Sequence, residues 1–450
     1  MKQSHKVILH PLLEETGQNQ LIIPEFLASK WRIKNTNVLF NCGSLQYPVH
    51  LESYETDTDQ AVYCSPDILS SLYLPSDGVR VLLTYCKETN AIKIGPIFCL
   101  ATNASGNEEL PFSAYTDFCV EIAKFCEEHH IFFYVNTLKN WDENSVIGKR
   151  WQTDQWIEYT LPLPSIIYNR IHSRRLENSS QINSLKEFWR KHNIPYFNEA
   201  FIDKWDVHQM LLLYEEIAPY LPEAVMLDSM DSLNQMMNLY DTVYLKPING
   251  SQGRHIYRIS KSDDCYLLGY SSFSGNKTLT SHTISGLYPA IRARSKRVPY
   301  LVQQGIPLFE VEDCPVDFRI LCLKGPGDKW RVVSSVARVS QSRDQFVSNI
   351  ARGGLLKSVD EVLTQFDKDS RKQTKRILPE LALEISRIID RETEGMYGEL
   401  GIDLTIDKEG HPWIIEVNTK PSKTPDNPSN NHCRPSVKAL IQFVYWFTSN

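Results

Sequence analysis

The chain has 450 residues, of which 42% are hydrophobic and 23% are charged, and its formal net charge at pH 7 is −6. A mildly acidic chain argues against general binding to nucleic acid, which needs a clustered positive field. No apolar run approaches the roughly 20 residues of a membrane-spanning helix, and the N-terminal segment lacks the pattern of a signal peptide. At roughly 150 residues per domain, this length predicts about three globular domains.

The ten cysteines are spread through apolar segments, and none forms a CxxC pair. This usage is typical of reduced, mostly buried thiols in a cytoplasmic compartment. It does not favour a structural zinc site, whose ligands usually come in close pairs.

Residues 1–105 are predicted to form a β-rich, barrel-like domain. Short β-favouring runs alternate with turn residues, and VRVLLTYC–KETN–AIKIG has the pattern of a hairpin. The segment IPEFLASKWRI interrupts them as a short helix. The polar stretch 101–110 is a candidate linker.

Residues 106–200 are predicted to form an α/β domain. A helical pattern in FSAYTDFCVEIAKFCEEHH precedes two buried strands, IFFYVN and PSIIYNRI, and a second helix, SQINSLKEFWRKHN. Alternating helices and strands are the signature of this class.

Residues 201–450 show a third pattern, with a helix capped by Asp203, a strand–loop–strand unit, and a long helix over about 370–392 that Pro379 could kink or split. Two strands and a terminal helix, SVKALIQFVYWF, end the chain.

The segment KPINGSQG (246–253) combines a lysine at a strand end with a glycine turn. Glycines allow successive backbone N–H groups to face an anion, and the lysine adds charge for phosphate oxygens. It lacks the GK[ST] ending of a Walker A loop. A hairpin turn with an incidental lysine is the alternative interpretation.

Two further segments carry charge. In VDFRI, Asp317 and Arg319 occupy alternate strand positions and therefore share one face, which suits either a hydroxyl-and-phosphate ligand or a structural ion pair. In VARVSQSRDQFVSNIARGG, Arg338 and Asn349 precede a glycine pair, Gly353–Gly354, which suits either a polyanion or a solvated basic loop.

The most specific pattern joins GIDLTID to IIEVNTK. A turn, DKEG, can bring Asp403 beside Glu416 and Asn418, and the last two share one strand face. Two carboxylates and an amide oxygen are hard ligands that suit Mg²⁺ on nucleotide phosphates. A polar hairpin at a sheet edge is the alternative.

In this order, the segments resemble the ATP-grasp superfamily over roughly residues 201–445. The segments KPINGSQGRHIYRI and EVNTKPS resemble the corresponding segments of the YheC/YheD group of endospore coat-associated ATP-grasp proteins. The SN…RGG loop resembles that of RimK-like ligases. The resemblance implies an ATP-grasp fold in two lobes, preceded by the α/β domain and the β-rich domain. Gly401 stands where D-alanine ligases carry an arginine, which argues against a D-alanine substrate.

The resemblance also implies residue roles. Nucleotide-binding residues are Lys204, Lys246, Gly250, Ser251, Gln252, Gly253, Gln303, Gln304, Gly305, Ile306 and Asp317. Residues around the transferred phosphoryl group and substrate are Arg319, Arg338, Asn349, Gly354 and Lys420. The metal ligands are Asp403, Glu416 and Asn418.

The implied function is an ATP- and Mg²⁺- (or Mn²⁺-) dependent carboxylate–amine ligase that forms ADP through an acyl phosphate. Its partners would be small-molecule or peptide carboxylates and amines, spore coat proteins and a second copy in a homodimer, in the mother-cell cytoplasm or the spore coat. A phosphotransferase on the same fold and a non-catalytic, nucleotide-binding coat component are the alternatives.

Overall fold

The computed structural model describes residues 4–13, 19–56, 60–250, 255–272, 275–296, 298–340, 354–423 and 433–449. It divides the chain into two compact units. The first contains Met1–Glu199, Lys324–Lys329 and Ser422–Asn450, and the second contains Ala200–Leu323 and Trp330–Pro421. The predicted division into three domains stays a prediction.

The first unit begins with seven strands, which close into a barrel in the described residues. The predicted hairpin between Val79 and Ile94 and the predicted helix after Pro24 are both confirmed. The elements are β1 (Ser4–Pro11), β2 (Gln20–Pro24), α1 (Glu25–Trp31), β3 (Asn37–Cys42), β4 (Leu45–Tyr54), β5 (Ala61–Cys64), α2 (Pro66–Ser71), β6 (Val79–Cys86) and β7 (Ala91–Ile94).

A six-stranded sheet in the order β11-β10-β9-β8-β12-β13 follows in the same unit. Its four strands β9, β8, β12 and β13 are parallel, as the α/β pattern predicts. The elements are β8 (Ile97–Ala101), α3 (Thr116–Glu128), β9 (Phe132–Asn136), β10 (Ser145–Gln152), β11 (Gln155–Pro162), β12 (Ile166–Asn169), α4 (Arg174–Glu177), α5 (Ser180–Lys191) and β13 (Tyr196–Phe197).

The hairpin β10–β11 was not predicted. Its strands are largely half-exposed, so their side chains do not alternate cleanly between apolar and polar. Its two-residue turn, Thr153–Asp154, has positive φ at both positions, which fits a hairpin turn but lacks the usual glycine.

The second unit contains two sheets. The first, called the lysine sheet here, has the order β14-β19-β15-β16-β17-β18. Its elements are α6 (Lys204–Leu212), β14 (Ala224–Met226), α7 (Met230–Leu239), β15 (Thr242–Pro247), β16 (Tyr257–Ser262), β17 (Cys265–Ser272), β18 (Gly275–Ser281), α8 (Ile284–Ser295) and β19 (Tyr300–Gln304).

The second, called the arginine sheet here, has the order β23-β22-β21-β24-β25, with β20 paired to β21. Its elements are β20 (Glu310–Val311), β21 (Cys314–Gly325), β22 (Lys329–Val339), β23 (Leu355–Lys357), α9 (Val359–Val362), α10 (Lys368–Glu392), β24 (Glu399–Ile406) and β25 (Pro412–Asn418). A last helix, α11 (Pro435–Ser449), belongs to the first unit.

Pro379 does not split α10, which is one helix of 25 residues. Leu378, Leu381, Ile385 and Ile388 lie on its buried face in the core of the arginine sheet. Tertiary packing of this face supplies most of the helix's stability and offsets the loss of one backbone hydrogen bond.

The mixed α/β class with a barrel-like first sheet is confirmed. All ten cysteines fall in the described residues, and each is a free thiol. Among the described residues, no helix is long and apolar enough to cross a membrane.

Candidate functional site

Lys204 opens α6 and reaches two predicted site residues. The Asp203 carboxylate accepts hydrogen bonds from the backbone N–H groups of Trp205 and Asp206, both at 2.9 Å, and so fixes the start of the helix. Lys204 Nζ then donates to the backbone oxygen of Gly250 at 2.6 Å and to Glu416 Oε1 at 3.0 Å. One ammonium group therefore joins the glycine turn to the last strand.

Lys246 lies on β15 beside Gln303 on the neighbouring strand β19. Lys246 Nζ donates to Gln303 Oε1 at 2.5 Å. Burial lowers the pKa of Lys246 from its ordinary value of 10.5 to about 8; the charge of Glu416 raises it and that of Lys204 lowers it further. The Lys246 ammonium can bind an anion, because the side chain to which it donates a hydrogen bond is a neutral amide.

The predicted adenine hinge has only one side chain that lines the cavity, Gln303. The Gln304 side chain accepts from the backbone N–H of Glu223 at 3.1 Å, and the Gly305 N–H donates to the Thr242 oxygen at 2.9 Å. A Cβ at Gly305 would lie 2.7 Å from that oxygen, so the close approach requires glycine. Ile306 follows outside any strand. Contact of these residues with a base stays a prediction.

The arginine sheet carries a network of two guanidinium groups and two carboxylates. Arg319 is the cross-strand partner of Asp403, and its Nη2 lies 2.9 Å from Asp403 Oδ2, with Nε on the other oxygen. Arg338 Nη2 lies 3.1 Å from Asp403 Oδ1, and Arg338 Nε binds Asp317. Asp317 and Arg319 of β21 therefore each pair with a residue from another strand, Arg338 of β22 and Asp403 of β24.

This network sets the charge state of Asp403. Burial alone would raise the pKa of Asp403, but the charges and hydrogen bonds of Arg319 and Arg338 hold it below its ordinary value. The same two carboxylates, Asp403 and Asp317, raise the pKa of Arg338 against the effect of burial. Both shifts favour the charged forms of Asp403 and Arg338 at neutral pH.

Residues predicted to bind a metal lie together on β24 and β25. Asp403 is the partner of Glu416 and Gly401 is the partner of Asn418, with a register shift after Asp403. Asn418 Nδ2 donates to Asp403 Oδ2 at 3.2 Å. The described residues contain no cluster of three or more His, Cys, Asp or Glu side chains placed to hold a metal. The predicted set has two carboxylates and one amide, and its oxygens are the donor type that Mg²⁺ prefers.

A small cavity of about 40 Å³ in the second unit lies between α6, the lysine sheet and β25. Lys204, Lys246, Gln303 and Glu416 line it, among apolar side chains of α6 and β25. His208, one turn after Lys204, also lines it and was not predicted. Burial lowers its pKa, so the ring is neutral at physiological pH. Its spacing of four residues from Lys204 places both on one helix face and was the available signal.

The other predicted site residues that the structure describes do not line this cavity. Lys420 is buried, with Nζ 5.0 Å from the centre of the Phe201 ring. Gly354 lies immediately before β23 and is half-buried. Ser251, Gln252, Gly253 and Asn349 lie outside the described residues.

Comparison with known proteins decides the family. The family model described as "YheC/D like ATP-grasp" matches residues 193–447, which is more than half of the chain. The chain belongs to the YheC/D-like ATP-grasp family. The predicted family and its ATP-grasp fold are thereby confirmed.

Two curated relatives come from Bacillus subtilis (strain 168). The endospore coat-associated protein YheD is 27% identical over 441 residues, covering 96% of this chain and 94% of the relative. The endospore coat-associated protein YheC is 22% identical over 277 residues, covering 60% of this chain and 73% of the relative.

Solved structures similar to the chain include two ligases. D-alanyl-alanine synthetase A from Vibrio cholerae has 13% identity and a TM-score of 0.45, and the match covers 79% of this chain and 99% of that one. A RiPP-associated ATP-grasp ligase from Chryseobacterium gregarium has 11% identity and a TM-score of 0.42, with 78% and 96% covered.

Proposed function

We propose that this chain is an ATP- and Mg²⁺-dependent ligase that joins a carboxylate to an amine. The observation that carries the proposal is one cavity in the second unit where two lysines, Lys204 and Lys246, meet Glu416 of the last strand. Lysine side chains bind the oxygens of a polyphosphate, and a neighbouring carboxylate can coordinate the cation that accompanies it.

The nucleotide would lie against the lysine sheet. Lys246 and Lys204, with the turn that begins at Gly250, would hold the phosphates. The apolar part of the cavity and Gln303 would accept the base, since such pockets combine apolar walls with a few polar groups that fix orientation.

Asp403, Glu416 and Asn418 fit Mg²⁺ or Mn²⁺ by the chemistry of their oxygens and by their placement on paired strands. A bound divalent ion would neutralise charge on the terminal phosphates. Arg319 and Arg338 lie on the neighbouring strands, where they would stabilise the charge on the transferred phosphoryl group.

The reaction has two steps. A substrate carboxylate oxygen attacks the γ-phosphorus, the bond from that phosphorus to the bridging oxygen breaks, and ADP leaves. An amine nitrogen then attacks the acyl carbon of the acyl phosphate, the carbon–oxygen bond breaks, phosphate leaves, and the nitrogen loses a proton. Lys420, beside the metal strand, would bind the carboxylate substrate, with Asn349 and Gly354 at the transferred group.

The test is ADP release from Mg-ATP in the presence of panels of amino acids, short peptides and amines. We expect ADP release that depends on both an acid and an amine, and a loss of roughly a thousandfold in Glu416→Ala, since metal-assisted charge stabilisation supplies several kcal/mol. Glu380→Ala, on the exposed face of α10, is the matched control. Full activity in Glu416→Ala would contradict the metal assignment.

Trapping with hydroxylamine separates the ligase from a phosphotransferase. Hydroxylamine captures an acyl phosphate as a hydroxamate and leaves a phosphate ester unchanged. ADP formation with an alcohol acceptor and no hydroxamate would contradict the ligase.

One observation favours a second candidate, a nucleotide-binding component of the spore coat without turnover. Asp403 already accepts hydrogen bonds from two arginines and Asn418, and both curated relatives are described as endospore coat-associated. Binding of ATP without ADP formation across the whole panel would favour this candidate, with coat proteins as partners in the mother cell or the spore coat.

A further inference from the structure

The Asp403 carboxylate has no free capacity for another ligand in this structure. Its two oxygens accept from Arg319 Nε and Nη2, from Arg338 Nη2 at 3.1 Å, and from Asn418 Nδ2 at 3.2 Å. A carboxylate offers about four lone-pair sites. A cation can therefore bind Asp403 only after one of these donors leaves.

The two arginines differ in how firmly they are held. Arg338 also binds Asp317, and its side chain is 10% exposed. Arg319 is 20% exposed. It lies next to Gly401, where a Cβ would come within 3.6 Å of Arg319 Nη1. Arg319 is the more exposed of the two and, among the described residues, pairs with Asp403 alone, so Arg319 is the donor that can leave.

The charge of the site opposes a cation that arrives alone. Among the described residues of the site, Lys204, Lys246, Arg319 and Arg338 carry four positive charges, and Asp317, Asp403 and Glu416 carry three negative ones, which leaves a net charge of +1 on these seven side chains. A divalent cation alone adds to this excess and gives a displaced Arg319 no anion to bind. A polyphosphate supplies that anion.

From this geometry we infer that Arg319 makes metal binding conditional on the nucleotide. In the free protein, the Arg319 guanidinium occupies the oxygens of Asp403. When a polyphosphate binds, the guanidinium moves to a phosphate oxygen, and Asp403 can then bind the divalent cation. The inference rests on the proposed nucleotide site. It adds a regulatory role for the contact between Arg319 and Asp403, which prevents free metal ions from binding to Asp403.

The test measures binding of Mn²⁺ by electron paramagnetic resonance, with and without a non-hydrolysable ATP analogue. In the wild-type protein we expect the analogue to tighten Mn²⁺ binding at least about tenfold, a coupling typical of linked sites. In Arg319→Ala we expect Mn²⁺ alone to bind at least about tenfold tighter than in the wild type, so that the coupling shrinks. Arg376→Ala, on the exposed face of α10, should behave as the wild type.

Two results would overturn the inference: equal Mn²⁺ affinity with and without the analogue in the wild type, or a folded Arg319→Ala whose affinity for Mn²⁺ alone is unchanged. If Arg319→Ala does not fold, Arg319→Lys decides, because a single ammonium cannot span both oxygens of Asp403; unchanged coupling in that variant counts against the inference. Coupled binding without ADP formation contradicts the ligase and leaves this inference intact. Turnover without coupling contradicts only the inference, and absence of nucleotide binding contradicts both.

Discussion

The two sheets of the second unit hold their site charges in opposite ways. On the lysine sheet, the half-buried Lys246 donates to a neutral amide, and its pKa falls to about 8. On the arginine sheet, Arg319 and Arg338 are joined to Asp317 and Asp403. The lysine sheet thus offers an anion a cation whose hydrogen-bond partner is neutral, whereas the charges of the arginine sheet are already paired with each other. The first arrangement favours ligand binding, and the second favours rigidity until a ligand displaces one partner.

Removing Asp403 should give the largest effect on stability. In Asp403→Ala, two guanidinium groups lose a buried partner, and loss of one member of a buried ion pair costs about 3–5 kcal/mol. We expect this decrease in the free energy of unfolding by urea denaturation. Glu380→Ala, at an exposed site of α10, should change it by less than about 0.5 kcal/mol.

A loss under about 1 kcal/mol in Asp403→Ala would show that the network does not stabilise the arginine sheet. The contrast between the two sheets would then be wrong.

Removing Lys246 should act on binding rather than on stability. In Lys246→Ala, a phosphate loses a charge-assisted hydrogen bond worth about 1.5–3 kcal/mol, which corresponds to roughly 10–100-fold weaker binding of ADP. Isothermal titration calorimetry measures this change. Lys261→Ala, at an exposed position on β16 of the same sheet, should bind ADP as the wild type does.

If Lys246→Ala binds ADP normally, the lysine sheet does not hold the phosphates. The nucleotide would then have to be sought elsewhere in the molecule.

A methyl group at Gly401 tests the packing around Arg319. An added Cβ would lie 2.8 Å from Pro421 Cβ. A proline ring cannot turn away, so overpacking should cost about 1–3 kcal/mol of unfolding free energy in Gly401→Ala. We also expect altered coupling between Mn²⁺ and nucleotide, because the methyl group would lie 3.6 Å from Arg319 Nη1.

Gly410→Ala is the control for that experiment. Gly410 has φ of +87°, but a Cβ there meets its nearest neighbour only at 3.7 Å. The variant should lose stability through backbone strain and keep the coupling unchanged. Equal effects of both variants on the coupling would contradict a specific role for the packing between Gly401 and Arg319.

Local patterns predicted much of this architecture. The hairpin of β24 and β25 follows from two apolar runs around a short turn, and its register then places Asp403 opposite Glu416. The cap at Asp203 and the fold of the barrel hairpin follow from equally local signals. Such features depend on residues close in sequence.

The partners of the charged residues could not be predicted in this way. Arg319 and Asp403 are 84 residues apart, and their pairing depends on the order β22-β21-β24 in the sheet. From the sequence, Asp317 and Arg319 could equally have paired with each other. Sheet order comes from packing over the whole unit, which a single sequence pattern does not contain.

The pH dependence of nucleotide binding gives the smallest expected effect and separates the sheets most directly. Because the pKa of Lys246 is lowered to about 8, this ammonium loses its proton in the free protein above that pH. Binding an anion then favours uptake of a proton, so the dissociation constant of ADP should rise as the pH passes 8 and level off below the roughly 10–100-fold loss expected in Lys246→Ala. The unfolded chain holds this proton up to the ordinary pKa, so between pH 8 and 10.5 this group makes folding more favourable as the pH rises. Weaker binding in that range therefore does not come from destabilisation by Lys246.

In Lys246→Arg the guanidinium stays charged, so the pH dependence of ADP binding should disappear. A wild-type slope in this variant would assign the titration to another group.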